Sequence, residues 1–454
     1  MTLSGDVTLR EVLRRDAPWL FEAELEVCVV GSAALAEACR RAGVDCPTVR
    51  DVDLAWQLDV AAGESLLARH GVGLSVTVGN RARGTLAFRA AARRIEVTSF
   101  RGDGDSRAAR IRADLERRDM TIGAIAWSLA DDVLHDPFHG LDHWRSRRIE
   151  AVGEPRARVD EHPVRFLRYY RRAHSLGFTL AAPLRKLAFE PAWASSTPGE
   201  AIAAELRRVL EDVPSPGTCL VELHEAGALV RFAPELAPQF DGRPAGPIRH
   251  HPEISQALHL VLALDWAKAR TTGLPEADRL AVLIAVLCHD LGKGLTPDAR
   301  LPAHHGHEAD GVPLVHSLLD RLPGLADARG RKLAEAVCLL HLEARRLRQL
   351  RAGTVASLYD RWFRAPDFPV ELFALAVGAD VGGRLGRAAE GERVREALVD
   401  ELRAIRAACA AVDAAGLRAR FATDLSAFRR ELHDAWCAAI RGAFAEDPRG
   451  PSEP

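Results

Sequence analysis

Short runs of apolar and β-branched residues are concentrated in the first third of the chain, at Leu25–Val30, Val52–Trp56, Val76–Val78, Thr85–Arg89 and Ile95–Phe100. Their length and composition predict β-strands. From about Glu161 the pattern changes, and apolar residues recur at intervals of three and four among Ala, Leu and Arg, as at Val209, Leu220, Leu223, Leu258, Val261 and Leu262. That period predicts helices. The expected fold is α+β, with a small mixed sheet first and an all-helical remainder after it. A loop carrying Pro234, Pro238, Pro244, Pro247 and Pro252 and a softer break near Gly386 suggest where the helical part divides. The expected divisions are a head at 1–150, a helical neck and body at 151–245, a His-rich helical domain at 246–386 and a helical tail at 387–454. Glu446–Pro454 is expected to fray.

Composition narrows the function classes. At 454 residues, 48% hydrophobic and 27% charged, the chain is that of a folded protein rather than a disordered one. No apolar run approaches the ~20 residues of a membrane helix, and Met1–Arg10 lacks the order of a signal peptide, so a cytoplasmic place is expected. The eight Cys contain no C-x-x-C pair, which points to reduced thiols. The net charge of −2 favours no polyanion globally. Locally it does: Arg145 through Lys186 holds eleven basic residues against four acidic ones. The Arg face of this segment is expected to contact RNA or nucleotide. Its aromatics are expected to be core, because Phe166 and Tyr170 share a helical face at i, i+4.

Candidate chemistry begins at Gly31-Ser32, a turn that follows a strand and opens a helix, where backbone N–H groups suit a triphosphate. Asp51 and Asp53 lie on one face if the segment is extended. With Glu96 from a later strand they form a carboxylate set for divalent cations that orient a hydroxyl nucleophile and stabilise a leaving pyrophosphate. The second constellation is His289-Asp290 at the end of the apolar run Leu280–Cys288, with His259 before it and Asp380 after it. As metal ligands these give the H…HD…D set of a metal-dependent phosphohydrolase. Lys293 is one of only four Lys in the chain and is placed to neutralise phosphate charge. His304, His305 and His307 are candidates for a second metal or for protonating a leaving group. His341 is expected to be structural or supporting.

The order Asp114-Leu-Glu-Arg-Arg-Asp-Met-Thr, Asp136-Pro-Phe-His-Gly-Leu-Asp, Val152-Gly-Glu-Pro and Glu161-His-Pro-Val-Arg-Phe-Leu-Arg resembles the class II tRNA nucleotidyltransferase and bacterial poly(A) polymerase family of the polymerase β superfamily. The resemblance implies that Asp51 and Asp53 bind the catalytic Mg2+ and that Arg117, Arg118 and Asp119 contact the incoming nucleotide. It also implies that His162 and Arg165 stand where that family reads the base, with Arg168 on the same helical face. The chain departs from the family pattern at Leu35 and Ala36, where a phosphate-binding Arg and its acidic neighbour usually stand, and at Gly123 and His162. The run Cys288-His-Asp-Leu-Gly-Lys-Gly-Leu-Thr-Pro, followed by Leu301-Pro-Ala-His-His-Gly-His-Glu, resembles the C-terminal HD domain of multifunctional CCA-adding enzymes.

These resemblances imply a CCA tRNA nucleotidyltransferase using CTP and ATP on a tRNA or other RNA 3′ end. They further imply an HD domain with 2′,3′-cyclic phosphodiesterase, 2′-nucleotidase and phosphatase activity, supported by Mg2+ or a divalent transition metal. Two other expectations stay open. One is a poly(A) polymerase-like enzyme with altered nucleotide choice, and the other is an HD phosphohydrolase whose head serves as an RNA-binding module.

Overall fold

The computed structural model describes residues 8–49, 51–74, 84–90 and 93–445, so the expected strand Val76–Val78, Arg50 and the segment beyond Ala445 lie outside the described residues. Two compact units divide the chain at residue 188/189. In the first, strands β1 (Cys28–Val30), β2 (Val52–Trp56), β3 (Thr85–Ala90), β4 (Arg93–Ser99), β5 (Ala126–Ser128) and β6 (Leu134–His135) form one mixed sheet in the order β3-β4-β2-β1-β5-β6. The expected strand at Leu25–Val30 begins only at Cys28. Ala23–Leu25 forms a tight 3-10 turn, and Glu26 sits at φ 49°, a left-handed conformation that interrupts an extended path. Strand β1 pairs antiparallel with β2 (Val30 opposite Asp53), and β2 runs parallel to β4 (Asp53 opposite Glu96).

Alternation in β2 explains both its burial and its chemistry. Val52 and Leu54 are buried while Asp53 between them faces out. The longer helices of this unit are α1 (Leu9–Asp16), α2 (Gly31–Ala42), α3 (Val60–Arg69), α4 (Arg107–Glu116), α5 (Gly140–Arg145), α6 (Pro155–Glu161) and α7 (Arg165–Leu176). Helix α4 starts where Ser106 Oγ accepts the Ala109 N–H, and it packs Ile111 and Leu115 on Cys28, Val30 and Ala55 of the sheet. The aromatics of α7 are core, as their spacing implied: Phe166 and Tyr170 are buried and stack at 5.2 Å.

The second unit is helical. Its longer helices are α8 (Gly199–Asp212), α9 (Pro216–Glu225), α10 (Gln256–Arg270), α11 (Glu276–Cys288), α12 (His307–Arg321), α13 (Ala328–Ala344), α14 (Val370–Gly382), α15 (Ala388–Ala410) and α16 (Leu425–Ala445). All residues of α11 from Leu280 to Cys288 and all of α14 except Glu371 are buried. Each large aliphatic side chain there, such as Leu283 or Ile284, contributes about 1.5–3 kcal/mol. Ionisable groups at the ends of such helices must find partners or ligands, because burial of an unpaired charge costs far more than that. Among the described residues no helix is long and apolar enough to cross a membrane.

Candidate functional sites

In the first unit, β1 delivers the chain to Gly31, whose φ of +66° lets the backbone turn directly into α2. A Cβ at that position would lie 3.6 Å from Asp53 Oδ2 and 4.0 Å from Arg118 Nη1. The N-terminus of α2, with half-buried Ser32 as its second residue, therefore shares one small space with a carboxylate and a guanidinium. Partial burial raises the Asp53 carboxyl, and repulsion from Glu96 and Asp51 adds to it against the attraction of Arg118. A cation beside Asp53 and Glu96 relieves that repulsion, so the residues fit one. Asp51 lies just ahead of β2 and is exposed, and Glu96 is paired with Arg94 at 2.8 Å.

Arg118 is fixed by Asp114 at 3.1 Å and donates to the Gly123 carbonyl at 3.4 Å. Asp114 is buried and also accepts from Arg101, an anchoring role that its i, i+4 spacing to Arg118 signals in the sequence. Leu35 points into the core of the unit, so it offers nothing to a phosphate. Arg117 is exposed, and its carbonyl accepts from Arg165.

The two arginines of α7 are used differently. Arg165 is buried and donates to the carbonyls of Arg158 and Arg117 and to Glu161 Oε2 at 2.6 Å. Arg168 is partly exposed and holds Asp119 at 2.8 Å, while Tyr169 donates its hydroxyl to the Asp119 carbonyl. Burial would raise the Asp119 carboxyl, but Arg168 and then Arg165 outweigh it and hold it below the usual range. His162 is exposed at the end of α6, and partial desolvation with Arg165 nearby lowers its imidazole, which is neutral at pH 7. The basic segment is more balanced than its count suggested. Arg145, Arg148, Arg156 and Arg158 each pair with an acid, leaving Arg147, Arg185 and Lys186 as its other exposed cations.

The second unit gathers the histidines. His259 lies on α10, His289 and Asp290 follow α11, His307 opens α12, His341 ends a buried stretch of α13 and Asp380 lies on α14. Gly292 permits the approach, since a Cβ there would sit 2.0 Å from the His307 carbonyl oxygen. His259 Nε2 lies 3.3 Å from His289 Nε2 and 3.4 Å from Asp380 Oδ1. Asp290 contacts His289 Nε2 at 3.0 Å, His307 Nε2 at 3.1 Å and His341 Nε2 at 3.7 Å. The ligand atoms of His259, His289 and Asp380, and those of Asp290, His307 and His341, form two tight buried trios.

The second ring nitrogens explain the arrangement. His289 Nδ1 faces the Val286 carbonyl at 2.7 Å, His307 Nδ1 the His304 carbonyl at 2.7 Å and His341 Nδ1 the Val337 carbonyl at 3.1 Å. A carbonyl only accepts, so each Nδ1 carries the proton and each Nε2 turns a lone pair inward. His259 Nδ1 faces Glu253 Oε1 at 3.1 Å, bent away from a linear hydrogen bond. His307 Nε2 and Asp290 Oδ1 are buried without a hydrogen-bond partner although they lie side by side. Two acceptors held in contact fit a cation between them.

The charges around this centre are paired. Burial opposes ionisation of Asp290, but His289 and Lys293 hold its carboxyl well below the usual range, and Arg384 and Arg345 do the same for Asp380. Burial pushes His341 down to about 3 and His251 down to about 4. Lys293 Nζ is held by Asp290 Oδ2 at 2.7 Å and by the Ala245 carbonyl at 2.7 Å. A cavity of about 420 Å³ opens on the centre, lined by His304, His305, His307, His341, Asp380, Arg384, Arg249 and Arg346 among others.

Of the three clustered histidines only His307 reaches the ligand set. His304 has both ring nitrogens engaged, with Thr296 Oγ1 and the Pro244 carbonyl, and His305 is exposed at the cavity mouth. Sequence reasoning gave His341 only a structural or supporting role and did not name Glu253, Arg345 and Arg384. His341 ends an apolar helical run much as His289 does, which was the available signal. Two further trios lie among the described residues: His251, Glu253 and His259 beside the centre, and His433, Asp434 and Cys437 on α16.

Two family models match the chain, the poly A polymerase head domain over residues 44–150 and the HD domain over residues 250–365. The multifunctional CCA proteins of Teredinibacter turnerae and Methylococcus capsulatus are each 38% identical to it, over 60% of this chain and 64% and 63% of theirs. The chain thus spans a little under two thirds of the length of the curated relatives it matches. Among solved structures, the Bacillus stearothermophilus CCA-adding enzyme in complex with CTP superimposes with a TM-score of 0.63 at 18% identity, covering 94% of this chain and 93% of that one. At that identity the likeness shows the fold alone, which is the α+β head and helical remainder read from the sequence. The resemblance carried by the motifs is borne out at both ends: the chain matches a poly A polymerase head domain followed by an HD domain.

Proposed function

We propose that the first unit adds or repairs the 3′-terminal CCA of tRNA from CTP and ATP, and that the HD domain hydrolyses phosphate esters at RNA ends as a 2′,3′-cyclic phosphodiesterase, 2′-nucleotidase and phosphatase. The likeness to the multifunctional CCA proteins supports the pairing. For the hydrolase, the observation that carries the reading is the convergence of four imidazole Nε2 atoms on Asp290 and Asp380, three of them fixed by Nδ1 bonds to backbone carbonyls.

In the first unit, Asp51, Asp53 and Glu96 would hold Mg2+, which supplies charge for the leaving pyrophosphate. The α2 N-terminus at Gly31 and Ser32 offers N–H donors to the triphosphate, and Arg118 supplies the positive charge that Leu35 does not. The RNA 3′-hydroxyl attacks the α-phosphate and pyrophosphate leaves. Asp119 and Arg168 present an acceptor and a donor pair to the base edge, with Arg117 and His162 at the rim. Arg165 holds α7 against the Arg117 carbonyl and so positions that pair.

In the HD domain, His259, His289, Asp290 and Asp380 would hold a divalent cation, Mg2+ or a transition metal, with His307 and His341 completing a second set around Asp290. Such a cation supplies Lewis acidity toward water and phosphate. Arg384 and Arg346 line the approach and favour an anionic substrate, and Lys293 holds Asp290 ionised.

Incorporation of labelled CTP and ATP into tRNA lacking its CCA end tests the transferase. Loss of phosphatase and cyclic phosphodiesterase activity in His289→Ala tests the hydrolase. Absence of transfer alongside intact hydrolysis would leave the HD enzyme with an RNA-binding head.

A further inference from the structure

The four inward-facing histidines are not anchored alike. His289, His307 and His341 each give Nδ1–H to a backbone carbonyl three or four residues earlier, a local anchor. His259 has a side-chain carboxylate instead. Its Nδ1 faces Glu253 Oε1 at 3.1 Å, too bent for a hydrogen bond in this geometry, and is otherwise buried without a partner, so that carboxylate is the acceptor within reach.

Glu253 is built into position. Its side chain is wholly buried. Oε1 also receives the His251 Nδ1–H at 2.7 Å, and Oε2 accepts the Leu385 N–H at 3.3 Å. The next residue, Ile254, stands at φ +65°, a left-handed conformation that is a marked outlier for a β-branched side chain. That backbone is held on both sides: the Ile254 N–H donates to the His251 carbonyl at 3.0 Å, and the Ile254 carbonyl accepts the Ala245 N–H at 2.7 Å. Strain of this kind persists only where surrounding contacts over-determine it. Ile254 itself is largely exposed, so the conformation is not set by packing of its side chain. What the turn does accomplish is to point Glu253 inward at His259.

We propose that Glu253 is a positioning residue of the HD centre, holding the His259 Nδ1–H so that Nε2 presents a lone pair to the cation shared with His289 and Asp380. A carboxylate acceptor behind a ligating imidazole both fixes its tautomer and raises its basicity, and losing such a partner typically costs about 10–100-fold in metal affinity. The inference rests on the HD centre binding a divalent cation. It adds that one of the four imidazoles depends on a remote acid for its donor strength.

The test is titration of the full-length, metal-stripped protein with Mn2+ alone by calorimetry, together with the visible spectrum of the Co2+-loaded form. Glu253→Gln keeps the shape and an acceptor for Leu385 but removes the charge. The expected result is a 10–100-fold weaker Mn2+ Kd with an altered Co2+ ligand-field spectrum. His251→Gln, which leaves Glu253 free to serve His259, is expected to hold Kd within about 3-fold, as a guard against general disturbance of the turn. Unchanged Kd and spectrum in Glu253→Gln would overturn the proposal while leaving the metal centre in place. If Glu253→Gln does not fold, Glu253→Asp, which shortens the reach, must weaken Mn2+ binding in the same direction, and wild-type affinity there overturns it equally. If the wild type itself takes up no Mn2+ or Co2+ that His289→Ala abolishes, the metal reading and this proposal fall together.

Discussion

Replacing Gly292 by Ala adds one methyl group that touches no substrate, yet it should separate the two halves of the HD centre. The turn Leu291–Leu295 crosses the first turn of α12 so closely that an added Cβ would lie 2.0 Å from the His307 carbonyl oxygen and 2.7 Å from the Gly311 nitrogen. Ordinary contact needs roughly 3.4 Å, so backbone must retreat by more than about 1 Å. Both clashing atoms belong to α12, and that helix also carries His307, whose Nε2 is 3.1 Å from Asp290 Oδ1. Overpacking of this kind costs about 1–3 kcal/mol, and for a unit of this size each kcal/mol lowers Tm by about 2–4 °C. A displacement of about 1 Å at a ligand should lower phosphohydrolase kcat/KM about 100-fold. The assay is release of phosphate from a 2′-nucleotide, with a melting curve on the same sample and CTP incorporation as a control on the first unit. Wild-type hydrolysis at wild-type Tm would refute the claim that this glycine sets the approach of α12.

Asp53→Asn should abolish nucleotide addition and spare phosphate release, and simultaneous loss of both in a folded protein would contradict two separate sites. His341→Ala should weaken binding of Mn2+ more than His304→Ala does, because only His341 turns a ring nitrogen toward Asp290; equal losses in paired calorimetric titrations would show that His304 is also a ligand. Arg168→Met should destabilise the first unit by about 1 kcal/mol at pH 7. Since the Asp119 carboxyl is held below its unfolded value, the pair's contribution is present above that value and lost as pH falls through the folded one, so the wild-type and mutant denaturation curves should converge as pH falls below the ordinary carboxylate range. Ile254→Gly should be neutral or raise Tm slightly, since it relieves a left-handed β-branched residue whose side chain is exposed, and a clear drop would mean the side chain contributes packing after all.

The order of chemistry-bearing residues was legible in the sequence because it is local. An apolar strand ending in Gly31, an Asp-x-Asp strand and a buried helix ending in His289-Asp290 each declare themselves through hydrophobic period followed by polar residues that have no place in a core. The aromatics of α7 were assigned to the core on the same ground. Long-range partners were not legible. The count of basic residues in 145–186 overstated a free cationic face, since pairing with acids such as Glu150, Asp160 and Glu161 depends on which side chains the fold brings within reach. Spacing put Arg165 and Arg168 on one helical face, but tertiary contacts buried Arg165 against carbonyls and left Arg168 to hold Asp119.

The histidines divide along the same line. Sequence alone pointed to a metal-type cluster and named His259, His289, Asp290 and Asp380 for it, with His304, His305 and His307 as auxiliaries. Tertiary structure decided that His307 and His341 join them, that His304 and His305 do not, and that Glu253 stands behind His259. The physical reason is that a ligand is defined by where a nitrogen lone pair points. That direction follows from the acceptor holding the other nitrogen, which for three of these rings lies within four residues along the chain and for His259 comes from a separate turn.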